Sequence, residues 1–548
     1  MTEKMTGGES IVRSLLAHKV DTLFGIPGVQ TYGLFDALHR AGDRIKVIGP
    51  RHEQATAYMA FGYAKSTGKI GVFSVVPGPG VLNASAAICT AYGASTPILC
   101  ITGQVPSDFI GSGKGHLHEL PDQLATLRTL VKWANRINHP GESPALVAEA
   151  FKQMSCGRPR PVALEMPWEV FAMAAPVELI SPPESYAQIH PDFDQIDKAA
   201  RLLKDARNPM IMVGSGAQHA GQEVLELAEL LQVPVVSFRG GRGIVPDDHY
   251  LGFNCAAGFK CWAQTDVLIG IGSRLELQWF RWPALNKDLK IINIDIDPTQ
   301  MPRLKPAIPI VGDARAATRG LIDAMLRDHQ PRPSRREEFD GIKARSHAET
   351  QKIQPHTAYL RTIRDVLPRD GFFVEEICQA GFSSYFGFPV YTPRSFVTCG
   401  HQGTLGFGYS TSLGVKIGNP DKPVVSISGD GGFMFGVQEL ATAVQHGINV
   451  VSIVFNNGAF GNVLRDQQQR FEGRVIGAEL RNPDFVKLAE SFGMAGQRVS
   501  TPDALRPALE KALGADAPAL IEIQIDRASE VSPWEFLMPP AKPGSLSY

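Results

Sequence analysis

The chain has 548 residues, and its 54 Lys and Arg against 55 Asp and Glu leave a net charge of −1. This balance argues against nucleic acid or an anionic membrane as the main partner, because both favour a surplus of cations. Hydrophobic residues make up 44%, as in a globular protein with large cores, and no apolar run approaches the ~18 residues of a membrane span.

Three segments of the chain each alternate short apolar runs with amphipathic stretches, which is the pattern of β-α-β units. We expect domains over residues 1–175, 192–328 and 355–548, joined by linkers at 180–191 and 329–349. The predicted strands are 22–25, 45–49, 70–76 and 98–102 in the first segment, 209–213, 233–238, 267–271 and 290–296 in the second, and 372–375, 424–428 and 449–455 in the third. The predicted fold class is therefore α/β, with three doubly wound parallel sheets.

Two predicted strand ends in the first segment carry candidate functional residues. Pro27 and Gly28 follow the first strand, and Glu53 follows the second at the start of a predicted helix over 53–65. Pro and Gly suit an ordinary turn, and a Glu in the first helical turn is favourable to the helix dipole in any protein. From these residues alone, a purely structural interpretation therefore stays open for both turns.

The loop sequence 115–119, Gly-His-Leu-His-Glu, carries two His and one Glu within four positions. This spacing matches neither the i, i+4 pair of a helical metal site nor a zinc motif, so a metal is the weaker interpretation. A His in a cleft relays protons well near neutral pH. His118 is therefore a candidate proton relay, and an exposed loop His is the plainer alternative.

The strongest pattern lies in the third segment. The strand 424–428 ends in Gly-Asp-Gly-Gly, and after an amphipathic stretch the strand 449–455 ends in Asn-Asn-Gly. This is one β-α-β unit, in which both strands end at the same edge of the sheet. Asp430 and Asn457, 27 positions apart, should therefore lie together at the carboxyl edge, where ligands bind in open α/β sheets.

The residue types at that edge suit a metal-bound diphosphate. Asp430 offers an anionic oxygen and Asn457 a neutral one, and with a loop carbonyl they match Mg²⁺, which completes its octahedron with water and phosphates. Gly431 and Gly432 allow backbone amides of a helix N-terminus to approach a diphosphate. Asp-Gly and Asn-Gly are also common turn dipeptides, but their placement on one β-α-β unit favours the metal–diphosphate site.

This pattern resembles the thiamine diphosphate motif, and its surroundings resemble the superfamily of acetolactate synthase, benzoylformate decarboxylase and benzaldehyde lyase. The stretches 400–408, 429–431 and 437–442 carry the resemblance, which extends over nearly the whole chain. It implies that the three domains are pyrimidine-binding, central and diphosphate-binding.

The same resemblance assigns roles to individual residues. Asp430, Asn457 and the Ala459 carbonyl would bind Mg²⁺. Gly403 would offer its carbonyl to the aminopyrimidine of the cofactor. Leu405 would be the apolar wedge that bends the cofactor, where acetolactate synthases usually have Met; simple core packing is its structural alternative.

Arg51-His52-Glu53-Gln54 resembles the R-H-E-Q motif of acetolactate synthases, and Gly25-Ile26-Pro27-Gly28 resembles their G-x-P-G loop. The resemblance makes Glu53 the catalytic carboxyl at the pyrimidine N1′, where it favours the imino tautomer that takes the thiazolium C2 proton. In that family the Glu and the metal site come from different subunits. A homo-oligomer, dimer or tetramer, with active sites at a dimer interface is therefore implied.

The substrate side departs from the family pattern. Gln104 lies in a stretch that resembles a loop near the thiazolium, but Leu117 and His118 stand where acetolactate synthases usually have an aromatic residue and a Gln. Gln278 takes the place of the Arg that helps to hold the acceptor keto acid, and the aromatic cluster 279–282 follows it. We expect an uncharged acceptor, unless Arg281 replaces the missing Arg or the cluster packs in the core.

The central segment leaves a second cofactor open. True acetolactate synthases bind FAD there, and Gly214-Ser215-Gly216 is a partial dinucleotide signature. No Gly stands three positions after Gly216, where the full fingerprint has one. FAD is thus a possible cofactor that the sequence does not favour.

The expected function is that of a thiamine diphosphate- and Mg²⁺-dependent enzyme that makes or breaks a carbon–carbon bond beside the carbonyl of a 2-oxo acid, with aldehydes or ketones as partners. Carboligation like that of acetolactate synthase is the first expectation. The alternatives are a decarboxylase or aldehyde lyase of the same superfamily, and a non-catalytic binding protein that kept the fold.

Seven scattered cysteines and a polar stretch at 1–10 predict a cytoplasmic location.

Overall fold

The computed structural model of the protein describes residues 2–327 and 331–541. It contains three six-stranded sheets whose strand pairs are parallel, and one antiparallel pair of strands. The predicted α/β class with three parallel sheets is confirmed. The predicted boundary at 328, the first two residues of the second predicted linker and the stretch 542–548 lie outside the described residues.

The N-terminal sheet has the strand order β3-β2-β4-β5-β7-β6, and β1 pairs with β8. Its strands are β1 Glu3–Thr6, β2 Thr22–Gly25, β3 Lys46–Ile48, β4 Gly71–Val75, β5 Ile98–Gln104, β6 Trp133–Arg136, β7 Val162–Pro167 and β8 Ala174–Val177. Its α-helices are Gly7–Ala17, Tyr32–Ala41, Glu53–Thr67, Pro79–Gly93, Gln123–Leu130, Ser143–Ser155 and Trp168–Ala172. The four predicted strands are present as β2 to β5, while β1, β6, β7 and β8 were not predicted.

The central sheet has a different strand order, β11-β10-β9-β12-β13-β14. Its strands are β9 Met210–Val213, β10 Val235–Ser237, β11 Gly252–Phe253, β12 Val267–Ile271, β13 Lys290–Asp295 and β14 Ile308–Val311. Its α-helices are Phe193–Asp205, Gly221–Leu231, Cys255–Trp262, Met301–Leu304 and Ala314–Leu326. The order reverses between β9 and β12, where an open α/β sheet forms a crevice.

The C-terminal sheet has the strand order β16-β15-β17-β18-β20-β19. Its strands are β15 Phe372–Val374, β16 Phe396–Val397, β17 Val424–Gly429, β18 Val450–Asn456, β19 Ala495–Val499 and β20 Ala519–Gln524. Its α-helices are His356–Val366, Gln379–Gly387, Gly408–Gly418, Asp430–Phe433, Leu440–His446, Gly461–Arg470, Phe485–Ser491, Pro502–Gly514 and Trp534–Leu537. Here too the three predicted strands are present, within one or two residues of their predicted bounds.

The two predicted linkers differ. The stretch 180–191 contains no helix or strand, as expected. The second stretch is helical over Arg336–Thr350, because Phe339 is fully buried there and its ring lies 5.5 Å from that of Phe253. The charged residues around Phe339 concealed this single apolar anchor in the sequence.

The N- and C-terminal domains share a core through two helices, Glu53–Thr67 and Gly408–Gly418. Their backbones approach so closely that a Cβ on Gly62 would lie 2.1 Å from the Thr411 carbonyl oxygen, and one on Gly414 would lie 1.9 Å from that of Met59. Glycine is therefore required at both positions, and the Glu53 turn is held against the C-terminal domain. In the described part of the chain, the helices are too short or too polar to cross a membrane.

Candidate active site

A cavity of about 230 Å³ opens at the carboxyl edge of the C-terminal sheet, where the strand order reverses between β15 and β17. Seven predicted site residues line it: Gly403, Leu405, Asp430, Gly431, Gly432, Asn457 and Ala459. They come from three separate loops, which follow β16, β17 and β18. The structure thus brings together the whole set that the sequence assigned to a metal and a diphosphate.

Asp430 is a buried carboxylate in this cavity, with only 1% of its surface exposed. Its Oδ2 accepts a hydrogen bond of 2.6 Å from Asn482 Nδ2, and burial raises the pKa of the carboxyl. No Lys, Arg or His among the described residues forms an ion pair with it. A buried charge of this kind needs a counter-ion, which fits a cation bound beside Asp430.

Asn457 is held from behind by a buried pair of side chains. Its Nδ2 donates to Glu530 Oε2 at 2.9 Å, and the other oxygen of Glu530 lies 3.0 Å from His356 Nε2. This fixes the amide orientation, and Asn457 Oδ1 accepts the backbone N–H of Ala459 at 3.1 Å. Sequence reasoning did not identify Glu530 or His356, which lie 73 and 101 positions from Asn457.

The donor set suits Mg²⁺. No group of three His, Cys, Asp or Glu side chains across residues 2–327 and 331–541 is arranged to hold a metal. One carboxylate from Asp430, one amide oxygen from Asn457 and the Ala459 carbonyl form a sparse set of hard oxygens, and Mg²⁺ usually binds to few protein ligands and takes the remainder from phosphates and water.

Two glycines in the Gly-Asp-Gly-Gly turn have no room for a side chain. A Cβ on Gly431 would lie 2.4 Å from the Phe460 ring, and one on Gly432 would lie 2.2 Å from Glu376 Oε1. Both glycines line the cavity, so the turn presents bare backbone there, which lets a diphosphate approach closely. Gly403 has a φ of +60° with open space around it, so there glycine serves the backbone conformation.

Glu376 is a functional candidate that sequence reasoning missed. It is fully buried beneath the cavity and accepts hydrogen bonds from Gly406 N at 2.5 Å, Gly408 N at 3.0 Å and Ser428 Oγ at 2.9 Å. Burial raises the pKa of Glu376 to about 7, against the opposing effect of these donors. Its signal was present: two consecutive Glu at the end of a buried strand are unusual.

At the carboxyl edge of the N-terminal sheet, Glu53 is the first residue of its helix. Its Oε2 accepts a hydrogen bond of 3.0 Å from Asn83 Nδ2, and its Cγ packs beside Gly80. The cavity around Asp430 is lined by described residues of 356–530 alone, so Glu53 does not line it. One chain therefore does not bring the two predicted halves of the site together.

The Pro27–Gly28 turn packs against Val76, since a Cβ on Gly28 would lie 2.2 Å from Val76 Cγ1. Val76 also lies beside Gly80, the residue that Glu53 packs against. Gln30, missed in the sequence, is buried next to it. Its Nε2 donates to the Leu117 carbonyl at 2.9 Å, and its Oε1 lies 3.0 Å from His118 Nδ1. This arrangement places the proton on Nδ1 of His118 and leaves Nε2 as an acceptor.

Gln104 and Leu117 occupy opposite environments. Gln104 is buried, and its Nε2 donates to Glu165 Oε2 at 3.2 Å. Glu165 also accepts from Gln123 and is paired with Arg136, so the Gln104 side chain takes part in an interior network. Leu117 is exposed, as a contact residue on a cleft or interface would be.

The aromatic cluster of the central domain divides into two parts. Trp279 and Phe280 are exposed, at 59% and 52%. Trp282 is buried, with its ring 5.3 Å from that of Trp262. Arg281 is buried as well: its Nε donates to Glu276 Oε1 at 2.7 Å, and its guanidinium stacks over Phe238. Gln278 lies half-buried on the same short π-helical turn.

A second cavity, of about 300 Å³, lies between the central sheet and the other domains. Of the two glycines of the partial dinucleotide signature, Gly216 lines this cavity and Gly214 does not, and both are needed for packing. A Cβ on Gly214 would lie 2.4 Å from the Gly272 carbonyl oxygen, and one on Gly216 would lie 2.8 Å from Gly272 Cα. These glycines therefore do not by themselves indicate a nucleotide.

Three family models match the chain, and together they cover more than half of it. The model described as thiamine pyrophosphate enzyme, N-terminal TPP binding domain, matches residues 5–126. The model of the central domain of these enzymes matches 196–321, and that of the C-terminal TPP binding domain matches 378–523.

Curated relatives match over nearly their full length. The chain is 32% identical to the probable acetolactate synthase large subunit of Methanococcus aeolicus, over 96% of the chain and 93% of that protein. It is 33% identical to the probable 2-ketoarginine decarboxylase AruI of Pseudomonas aeruginosa, over 95% and 94%. It is 31% identical to acetolactate synthase isozyme 3 large subunit of Escherichia coli, over 97% of each chain.

Proposed function

The chain belongs to the thiamine pyrophosphate enzyme family, and from that premise we propose that it is a Mg²⁺-dependent carboligase that uses a 2-oxo acid as donor. The family membership makes it a thiamine diphosphate-dependent carboligase or decarboxylase. The observation that supports the proposal most directly is the cavity in which Asp430, Asn457 and the Gly431–Gly432 turn converge.

In this proposal the C-terminal edge holds the diphosphate. Asp430 Oδ1, Asn457 Oδ1 and the Ala459 carbonyl bind Mg²⁺, and the amides after Gly431 donate to phosphate oxygens. Asn482 and Glu530 fix the two side-chain ligands from behind. Bound thiamine diphosphate supplies a nucleophilic carbon that attacks the substrate carbonyl, and a ring that accepts the electron pair released when a carbon–carbon bond breaks.

Glu53 is the proposed proton-handling group. Its carboxyl group would hold the pyrimidine N1′ of the bound cofactor and favour the imino tautomer, which supplies the base for C2 deprotonation. Because Glu53 does not line the cavity of its own chain, we propose that Glu53 of one subunit completes the cavity of its partner. A homodimer with two active sites at the interface follows from this arrangement. His118, with a free Nε2, is the candidate for proton transfer to the product.

The acceptor substrate is the part of the proposed reaction that the structure constrains least. Gln278 offers no positive charge, and Arg281 is occupied by Glu276. A carboxylate-bearing acceptor therefore lacks the bidentate guanidinium that would suit it. The exposed Trp279 and Phe280 favour an apolar, uncharged acceptor if they border the cleft. We propose an aldehyde or a neutral ketone.

Decarboxylation is the second candidate, because a proton is the smallest uncharged acceptor and the relatives include a probable decarboxylase. A non-catalytic binding protein is not favoured, because the chain retains Glu53, Asp430 and Asn457 within an enzyme family. FAD in the central cavity has no support from the glycine signature. Flavin absorbance of the heat-released ligand of the purified protein tests for FAD directly.

One experiment separates the candidates. The purified protein is incubated with thiamine diphosphate, Mg²⁺ and a panel of 2-oxo acids, each with and without an aldehyde, and CO₂ and products are followed by mass spectrometry. Carboligation gives a hydroxyketone that contains the acceptor; decarboxylation gives the free aldehyde at the same rate with or without the acceptor. Asp430→Ala is the control, and absence of both products in the parent protein would refute the proposal.

A further inference from the structure

Another buried carboxylate lies nine positions after Asp430 and contacts the turn before Glu53. Glu439 is fully buried, and both of its oxygens accept the backbone N–H of Arg51, Oε2 at 3.0 Å and Oε1 at 3.2 Å. Arg51 is two residues before Glu53. A residue of the C-terminal domain thus holds the turn that presents Glu53.

Both oxygens of the Glu439 carboxylate accept hydrogen bonds inside the protein. Thr442 Oγ1 donates to its Oε2 at 2.5 Å. Burial raises the pKa of Glu439, and the hydrogen bonds from Thr442, Arg51 and His52 oppose that rise. No ion pair to Glu439 occurs among the described residues. A buried acid without a counter-ion is costly, and the hydrogen bonds from the Arg51 turn and from Thr442 offset part of that cost.

Two further contacts hold the same turn. Gln445 Oε1 accepts from Arg51 Nη2 at 2.6 Å, and His446 Nε2 lies 3.4 Å from the Gly49 carbonyl oxygen. On the other side, His52 Nδ1 caps the helix by accepting the N–H of Gln54 at 3.1 Å. Hydrogen bonds from the C-terminal domain and from the Glu53 helix therefore hold the backbone immediately before Glu53.

We propose that Glu439 is a positioning residue for Glu53 of the same chain. The inference rests on the proposed function, in which Glu53 serves the partner's cavity while Asp430 serves the chain's own. Since Glu439 follows Asp430 on one short segment and binds the Glu53 turn, it joins the diphosphate end of one active site to the carboxyl of the other.

The first test uses the protein without cofactor. Glu439→Gln replaces one acceptor oxygen with an NH₂ group that opposes the Arg51 N–H, and a lost hydrogen bond to a charged group corresponds to roughly 10–100-fold in an equilibrium. Hydrogen exchange by mass spectrometry should show faster exchange of the amides of 51–54 by that factor, with the rest of the chain unchanged. Glu490→Gln, an exposed position on another helix, is the matched control.

If Glu439→Gln does not yield a folded dimer, Thr442→Val provides the second variant, because it removes one donor and keeps the carboxylate. It should accelerate the same amides by a smaller factor. Unchanged exchange at 51–54 in either folded variant would overturn the proposal.

The second test separates a role at Glu53 from a role at Asp430. In a hybrid dimer with Asp430→Ala on one chain, only the site that uses that chain's Glu53 and the partner's Asp430 remains. Glu439→Gln placed on the Asp430→Ala chain should slow deuterium exchange at C2 of the bound cofactor by roughly 10–100-fold. Placed on the other chain, it should leave C2 exchange unchanged.

The opposite pattern would show that Glu439 supports the diphosphate end, and the proposal would be wrong. Absence of cofactor binding or of C2 exchange in the parent dimer would instead refute the proposed function. Thus the failure of the inference and the failure of the function it rests on give different results.

Discussion

The N- and C-terminal sheets have the same topology but carry different chemistry at the same edge. Numbered within its own domain, each sheet runs 2-1-3-4-6-5, whereas the central sheet runs 3-2-1-4-5-6. The loop after the second strand contains Glu53 in one sheet and Gly403 and Leu405 in the other. The loop after the third strand contains Gly80 in one and Asp430 in the other.

The two edges differ in the burial and the hydrogen-bond partners of their carboxylates. At the C-terminal edge, Asp430 and Glu376 are buried with raised pKa values, and Asp430 lacks a cation of its own. At the N-terminal edge, Glu53 is half-buried and held by an amide donor from Asn83. A buried carboxylate that lines a cavity and forms no ion pair within the described chain suits a bound cation, while a half-buried carboxyl at a helix start suits proton chemistry. The shared fold therefore positions the loops, and their residues decide the function.

Asp430→Ala gives the largest expected effect, because it removes the anionic ligand and leaves the diphosphate charge uncompensated. Cofactor retention and activity should be abolished, with at least about a thousandfold loss of thiamine diphosphate affinity, a difference of roughly 4 kcal/mol. Isothermal titration at fixed Mg²⁺ measures this loss. Asp421→Ala, at an exposed position, is the control, and an Asp430 variant that binds cofactor as tightly as the parent at low Mg²⁺ would remove the metal assignment.

Glu53→Gln probes the other edge and should separate binding from proton transfer. Folding, dimerisation and cofactor affinity should stay close to those of the parent, while C2 deprotonation slows by ~10²–10⁴, the usual contribution of one proton-transfer group. Proton–deuterium exchange at C2 of the bound cofactor is the direct measurement. If the exchange rate is unchanged, Glu53 has no part in the mechanism, and the functional contrast between the two edges is lost.

Sequence reasoning predicted the fold and placed Asp430 and Asn457 at the ends of neighbouring strands, because both depend on local patterns. Strands such as Val424–Gly429 are short apolar runs bounded by turns, and Asp430 and Asn457 follow their strands directly. It missed Glu376, Asn482 and Glu530, which act through contacts 26 to 73 positions away. No spacing rule exists for such partners, because only the packed sheet brings them to the site.

Weak local sequence patterns explain further discrepancies. Strands β6 and β7 were missed because Trp133–Arg136 is polar and short and Val162–Pro167 ends in Glu, Met and Pro. The helix Arg336–Thr350 was taken for a linker because one buried aromatic residue anchors an otherwise charged segment. The cluster at 279–282 could not be divided into exposed and buried members without the turn that carries it.

The buried acid at the C-terminal edge should also set the pH dependence of stability. The pKa of Glu376 rises from 4.5 to about 7 on folding, so between these values the native state keeps a proton that the unfolded chain releases. Stability therefore falls as pH rises through this window, by roughly 3 kcal/mol for one such carboxyl. In Glu376→Gln that fall should be reduced.

Chemical denaturation of the cofactor-free protein at pH values from 4.5 to 7 measures the slope. Ser428→Ala is the matched control, since it removes one hydrogen bond to Glu376 and keeps the titrating group, so the fall in stability should persist. A slope in Glu376→Gln equal to that of the parent would show that Glu376 does not keep its proton at this edge.

The smallest expected effect concerns the central sheet, whose different strand order places Gln278 beyond β12, at the edge where the order reverses. If Gln278 stands where an acceptor carboxylate would need a guanidinium, the parent should prefer a neutral aldehyde over pyruvate when labelled pyruvate is the donor. Gln278→Arg should then shift the product ratio towards the pyruvate adduct by about tenfold, the effect of one charge-assisted hydrogen bond. Arg281→Ala should leave the ratio unchanged, because Arg281 is already paired with Glu276. Dominant pyruvate condensation in the parent, lost selectively in Arg281→Ala, would show instead that Arg281 leaves Glu276 to bind the acceptor.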